Sequence, residues 1–495
     1  MSTSVKRNFA YQAFYQILAI IVPLITTPYL SRTLGPHGVG IYSYTFSITN
    51  YFVMFAMLGM SRYGIREIAR VSGADQREER TRIFWGAYAV QIISSLLTLG
   101  VYLLYIPTVS EENLVPSLMW ITWVVSALFD VSWLCFGMEE FRVPTTISGL
   151  TKLGTLVLIF GLVRGPGDAW VYCLAIGAMY LVNQVALWPL VHRYVDFHRP
   201  TWAEIKPHIK PNLVLFIPVI AISLYISMDK VMLGAMSGMD QVGYYEYSEK
   251  LSKLPLAVIT ALGTVMMPRM SAALAEGKRD DALSLLESSI WAMLAMAFAL
   301  SFGIVGIAPE FARVFLGAEF AQCDVLMCVL AVVVPVISIT NVLGEQYMLP
   351  SGKDNLFTIS VCVGAVVNVV LNLFLIPNYQ AMGAAISTVA AELAVMAVQG
   401  WSVRGELPLG TYAKNALPFA VIGAIMAVVI RTFSSWLDSL WGMTPAGLAI
   451  EFLVGATTFS VLAILWVVLS KDKNFEAAFG RSLRRSASRD EAGQS

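Results

Sequence analysis

Long apolar stretches alternate with short polar breaks almost from one end of the chain to the other. They fall near 8–30, 41–60, 83–106, 114–136, 147–163, 169–191, 211–233, 242–268, 285–308, 322–344, 357–376, 381–401, 416–434 and 447–470. A bilayer core about 30 Å thick takes about 20 mostly apolar residues as a helix. The pattern therefore predicts an all-α polytopic membrane protein with about 14 transmembrane helices. Barrel strands would be about 10 residues long and would alternate in polarity, and these stretches do not. The first has no small-residue cleavage pattern behind a short apolar core, so it reads as a retained span rather than a signal peptide.

Part of the pattern occurs twice. Residues 34–44 recur as 237–247, with Gly35/Gly238, Val39/Val242, Gly40/Gly243, Tyr42/Tyr245 and Tyr44/Tyr247 identical at one constant offset. Spans 1 and 2 then match spans 7 and 8. A weaker echo pairs Thr146-Ile-Ser148 with Thr358-Ile-Ser360 at the starts of spans 5 and 11. Six spans per copy is an even number, so the copies enter the membrane in the same direction, as parallel repeats about an axis along its normal. The expected plan is an N-terminal six-helix lobe over 1–200, a second over 201–402, an appended pair of spans over 403–470, and a basic tail, 471–495, read as disordered.

Composition agrees with a membrane chain and adds orientation. Apolar residues make up 57% and charged residues only 13%, against about 25% charged in soluble domains. Net charge is zero and says nothing about partners. Its distribution is informative. With both termini in the cytoplasm, 25 of the 33 basic residues fall on inside segments, and only Arg32, Arg164, Arg313 and Arg431 fall outside. That is the positive-inside pattern. Loops are short, the larger outside ones lying near 309–321 and 435–446. The five cysteines make no C-x-x-C and read as small buried hydrophobes.

Charges inside spans are rare and usually face a cavity or a partner. Glu246, Glu249, Lys250 and Lys253 follow the i, i+3, i+4, i+7 spacing of one helical face. In both glutamate–lysine pairs four apart, the acid comes first, the favourable order for an ion pair. Asp229 and Lys230 end span 7 near the same side. Six such charges facing lipid would cost about 15–20 kcal/mol at about 3 kcal/mol each, so this face must meet protein or water. Pro255 follows and is expected to kink the helix. In the first copy, Ser43, Ser47 and Asn50 occupy the positions of Glu246, Lys250 and Lys253. A polar stripe in both copies fits a hydrated central cavity for a polar substrate; the alternative is a set of structural pairs between helices. Arg32 either anchors at the interface or reaches that cleft. Asp130, Lys152, Glu392 and Glu451 are intramembrane candidates for coupling or gating, with helix-to-helix hydrogen bonding as the alternative.

Several classes lack their motifs. There is no G-x-x-x-x-G-K-[ST] for ATP phosphates, no H-E-x-x-H and no G-x-S-x-G. The four histidines lie in loops without metal-ligand spacing. No large extramembrane loop or acidic catalytic cluster suggests an enzyme. The chain is read as moving a substrate, not as making or breaking bonds, and as needing no cofactor and no metal.

The run Ser-Arg-Thr-Leu-Gly-Pro-His-Gly-Val-Gly-Ile-Tyr from Ser31 to Tyr42 resembles the start of the polysaccharide flippases. So does Asp229-Lys-Val-Met-Leu-Gly234, followed by Val242-Gly-Tyr-Tyr245 and Lys250. These flippases form the O-antigen and capsule branch of the multidrug/oligosaccharidyl-lipid/polysaccharide superfamily. The likeness covers nearly the whole chain. It implies translocation of undecaprenyl-diphosphate-linked oligosaccharide from the cytoplasmic to the outer leaflet of a bacterial cell membrane by alternating access, through a cationic cavity. A diphosphate takes lysine or arginine, so the resemblance points to Arg32, Lys230, Lys250 and Lys253, with Asp229, Glu246, Glu249 and Asn50 orienting them or binding sugar hydroxyls. Tyr244, Tyr245 and Tyr247 either stack on sugar rings or anchor at the interface. Here the acids on span 8 balance its bases, a departure from a simply cationic cavity. Expected partners are the lipid-linked oligosaccharide, membrane lipids, a coupling H+ or Na+ and a polysaccharide polymerase, and no nucleic acid. The competing readings are a drug or cation antiporter of the same superfamily and a membrane-embedded polysaccharide polymerase or ligase.

Overall fold

A computed structural model describes residues 3–470; the tail expected over 471–495 lies outside them. Among the described residues there is no strand. The α-helices are α1 (Thr3–Met57), α2 (Met60–Arg70), α3 (Arg77–Tyr105), α4 (Glu111–Met119), α5 (Ile121–Ser126), α6 (Ser132–Gly137), α7 (Arg142–Leu162), α8 (Ala169–Val185) and α9 (Trp188–Tyr194). They continue as α10 (Trp202–Ser237), α11 (Met239–Lys253), α12 (Leu256–Ala275), α13 (Arg279–Phe311), α14 (Cys323–Leu330), α15 (Val333–Thr340), α16 (Asp354–Val403), α17 (Leu409–Trp441) and α18 (Pro445–Ser470). A π-helical segment, Asn341–Met348, extends α15.

α1 breaks at Gly35 and α16 at Gln380, so each holds two passes. The pairs α8–α9, α11–α12 and α14–α15 and the trio α4–α6 make one pass each. With α3, α7, α10, α13, α17 and α18 this gives the fourteen helical passes that hydropathy predicts. Nine stretches among the described residues are long and apolar enough to cross a bilayer on their own measure. Burial is that of a chain in lipid. Ser43, Thr45, Ser47 and Thr49 are buried, while Leu97 and Leu104 on α3 are 67% and 77% exposed. Large apolar side chains turned outward are stable only in an apolar surrounding. The protein is a multi-pass membrane protein.

The breaks are tighter than the hydropathy suggests. The polar interval between spans 1 and 2 is a single non-helical residue, Gly35 (φ 66°, ψ 179°). Its repeat counterpart Gly238 (φ 90°, ψ 170°) separates α10 from α11 in the same way. A positive φ of this kind is accessible to glycine without a Cβ clash, and Pro36 then suits the first turn of the next helix. The interruption expected at Pro255 falls between α11 and α12. The outside loop read at 309–321 begins later, because α13 runs on to Phe311 through Pro309.

Packing divides the chain into two units, Met1–Glu246 and Tyr247–Ser495. α10 packs on α1, α2 and α3, so the first unit includes all of α10 and the start of α11. Its interior is aromatic: Phe46 stacks on Trp123 with centroids 4.7 Å apart, and Trp120 Nε1 donates to Thr45 Oγ1 at 3.0 Å. In the second unit α13 is central, packed by α12, α14, α15, α17 and α18.

Candidate functional site

The two repeat copies touch through equivalent residues. A Cβ built on Gly40 would lie 1.8 Å from the carbonyl oxygen of Met239, and one on Gly243 would lie 2.0 Å from that of Pro36. Pro36 and Met239 are themselves one repeat offset apart, so the contact is reciprocal, like that of a two-fold dimer. His37 Nδ1 lies 3.3 Å from Asp240 Oδ2, and Ser43 Oγ donates to Glu246 Oε2 at 2.8 Å. Both pairs are equivalent positions, and their numbers rise together along the two helices. The segments after Gly35 and Gly238 therefore run parallel about a local two-fold along their length. Only glycine lets backbones approach this closely.

The seam leads into a charged cluster. Lys230 Nζ lies 2.6 Å from Glu246 Oε2, and Ser43 bonds the same oxygen. Tyr245 Oη donates to Asp229 Oδ2 at 2.7 Å. Asp229 is 2% exposed and Tyr245 fully buried. The Lys230 and Glu246 side chains keep 17% and 13% of their surface. The spacing that puts Lys250 one turn after Glu246 hides this longer-range partner, Lys230 on α10. Two ions held this way offset their loss of water only with good geometry and further hydrogen bonds, and Ser43 supplies one.

Further along α11, in the second unit, Glu249 and Lys253 form the pair their spacing predicts, at 2.7 Å. Lys250 Nζ sits 5.8 Å from the centre of the Tyr247 ring, a cation–π distance. Asn50 is half-buried, about two turns beyond Ser43. Arg32 is exposed and donates from Nη1 to Pro28 O at 2.9 Å. Lys152 lies half-buried on α7, Glu392 buried on α16 and Glu451 buried on α18.

Asp130 has a defined structural task. The fourth pass unwinds between α5 and α6, and Asp130 Oδ1 accepts the Ser132 N–H at 2.9 Å. Side chains satisfy the carbonyls this break frees. Gln91 Nε2 donates to Ala127 O and Asp130 O, Tyr88 Oη to Leu128 O, and Trp188 Nε1 to Phe129 O. Irregular backbone at membrane depth needs such internal partners. Gln91 and Trp188 carry no motif; a lone glutamine in an apolar span is their signal.

The connection 192–206 is held by charge. Arg77 pairs bidentately with Asp196, which lowers the Asp196 carboxyl below the ordinary carboxylate range. The Thr201 N–H, then His198 and the Thr201 hydroxyl, bring Glu204 down to about 2. Arg80, 4% exposed, donates to the carbonyls of Tyr194, Val71 and Gly73. An apolar cavity of about 240 Å³ in the second unit, lined by Ile290, Met293, Val342, Met396 and Tyr412 among others, contains none of the charged candidates.

Comparison with known proteins places these features in context. The family described as "Polysaccharide biosynthesis protein" matches residues 5–274, and the family described as "Lipid II flippase MurJ" matches 142–452. The chain is 25% identical over 81% of its length to the "Putative O-antigen transporter" of Escherichia coli (strain K12), covering 97% of that protein. It is 20% identical over 76% of its length to the protein of the same name from Shigella dysenteriae, covering 94% of it. A solved structure of the lipid II flippase MurJ, in an inward closed conformation, shares the fold at a TM-score of 0.70 and 13% identity, covering 94% of this chain and 99% of that one.

Proposed function

Because the chain belongs to the polysaccharide biosynthesis protein family, which matches more than half of its length, we propose that it is a flippase for a lipid-diphosphate-linked oligosaccharide. The observation that carries this reading is its similarity to an O-antigen transporter along nearly that protein's whole length. The host membrane in this reading is a bacterial plasma membrane, with both termini in the cytoplasm, an orientation that the charge distribution supports. The repeats 1–200 and 201–402 act as two lobes in alternating access, with 403–470 appended. The undecaprenyl tail stays in the bilayer while the sugar–diphosphate head crosses.

In this reading Lys230, Lys250, Lys253 and Arg32 meet the diphosphate through charge-assisted hydrogen bonds. Asp229, Glu246 and Glu249 hold the lysines in place and Asn50 serves sugar hydroxyls, while Tyr245, fully buried with its hydroxyl on Asp229, orients that acid instead of stacking on a sugar ring. The Lys230–Glu246 pair supports a role for Lys230, because a lysine held between a carboxylate and an incoming phosphate exchanges partners without ever being unpaired. A gradient of H+ or Na+ supplies the energy, and a polysaccharide polymerase takes the product. In this reading the chain moves its substrate without an enzymatic step.

The test is deletion of the gene in its host, in a strain with no redundant flippase. Lipid-linked repeat units should accumulate on the cytoplasmic leaflet and surface polysaccharide should be lost. Normal surface polysaccharide in that strain would reject the proposal.

A further inference from the structure

Three orphaned oxygens lie where α13, α17 and α18 pack together. Glu451 on α18 is 1% exposed, Glu310 near the end of α13 is 7% exposed, and Ser434 on α17 is fully buried. Glu451 Oε2, Glu310 Oε2 and Ser434 Oγ have no hydrogen-bond partner. Ser434 lies beside the Glu451 carboxyl, and the charges of Glu310 and Asp438 act on it. The neighbouring cations are engaged elsewhere. Arg431 on α17 donates to Val305 O at 3.1 and 2.7 Å and to Cys328 Sγ at 3.5 Å. Arg313, in the turn after α13, reaches Met443 Sδ at 3.8 Å. Among the described residues, no group of three acids, histidines or cysteines is placed to hold a metal ion.

Two buried carboxylates facing like charge, with no cation in contact, cannot both stay ionised. A single proton resolves the arrangement. A protonated Glu451 carboxyl gains an O–H donor and no longer repels Glu310, while the Ser434 hydroxyl donates to its other oxygen. We propose that Glu451, with Ser434 beside it and the acid Glu310 on α13, forms a proton-binding site that holds one proton and joins the appended helices α17 and α18 to α13. The site stands whether or not the chain flips a lipid-linked glycan, because its occupancy is read on the resting protein.

The experiment is infrared titration of the full-length protein in lipid nanodiscs, in water and in deuterated buffer. The wild type should show a protonated-carboxyl C=O band at neutral pH equivalent to one proton per chain, unchanged when sodium replaces potassium. Glu310→Gln/Glu451→Gln keeps both shapes without the charge and should lose that band. Ser434→Ala, which leaves both acids in place, should keep the band and shift it. The proposal is overturned by a wild type without the band, by a band that survives the double substitution, by one displaced by sodium, or by one that Ser434→Ala leaves unmoved.

Discussion

Ser43 and Glu246 are the same position in the two repeat copies, and the Ser43 hydroxyl donates a 2.8 Å hydrogen bond to the Glu246 carboxylate. One copy keeps a neutral hydroxyl where the other has an acid, and the pair joins them. The acid in turn holds Lys230 at 2.6 Å. Neutralising either ion should therefore hurt more than removing both. Lys230→Ala or Glu246→Ala breaks the pair in a mostly buried place, where removing one partner costs about 3–5 kcal/mol. The double substitution should recover at least half of that loss. Thermal melting of the purified protein in a double-mutant cycle measures the coupling, and strictly additive losses would show that the two do not act as a pair.

The glycines of the seam admit no side chain. Gly40→Ala and Gly243→Ala each drive a methyl group into a carbonyl oxygen about 2 Å away, well beyond the overpacking that costs about 1–3 kcal/mol in cores. Both should reduce surface polysaccharide to below about a tenth of wild type. Gly167→Ala, which has open space around it, should leave export unchanged. Export at wild-type level in either seam variant would mean that the helices separate there without consequence.

Among the basic candidates, Lys250→Ala should lower transport more than Arg32→Ala. Lys250 is half-buried on the charged face of α11, and Arg32 is exposed at the end of its helix. A flipping assay in proteoliposomes ranks them, and equal effects would remove Lys250 from the diphosphate site.

Gln91 carries the break in the fourth pass. Gln91→Ala removes the side-chain donor to Ala127 O and leaves Asp130 O and Trp133 Nε1 with only each other, costing about 1–3 kcal/mol for a buried group left unsatisfied. Gln91→Glu, which keeps the acceptor but not the donor, should be nearly as harmful. A melting temperature within a degree or two of wild type for Gln91→Ala would count against a structural role.

Acid should loosen the connection 192–206. Glu204 sits at about 2 in the folded chain against 4.5 for a free glutamate. Its contribution is therefore complete above the unfolded value and is lost as pH falls through the folded one. The melting temperature should drop across that window, and Glu204→Gln should flatten the drop. An identical acid profile in the variant would assign the transition to other carboxylates.

The fold class was legible because period and length in a bilayer leave few alternatives: fourteen apolar stretches became fourteen helical passes. The duplication was legible too, as a constant offset. That equivalent residues touch each other was not, because a repeat announces similarity and not adjacency. Local pairs such as Glu249–Lys253 follow from a spacing of four, whereas Lys230 and Glu246 lie sixteen residues apart with a glycine break between them. Glu310 was hidden by Pro309, which reads as the start of a loop but sits within α13. Asp130 was visible as a rare intramembrane acid; its capping bond to Ser132 depends on an unwound turn that hydropathy does not register.

A patch that complements itself is how two identical subunits bind. Joined in one polypeptide, the seam at Gly40 and Gly243 keeps the backbone of a homodimer while its two edges are released from matching. Serine on one edge and glutamate on the other give an otherwise symmetric joint an electrical direction. A change at position 43 is therefore also a change in the surroundings of 246.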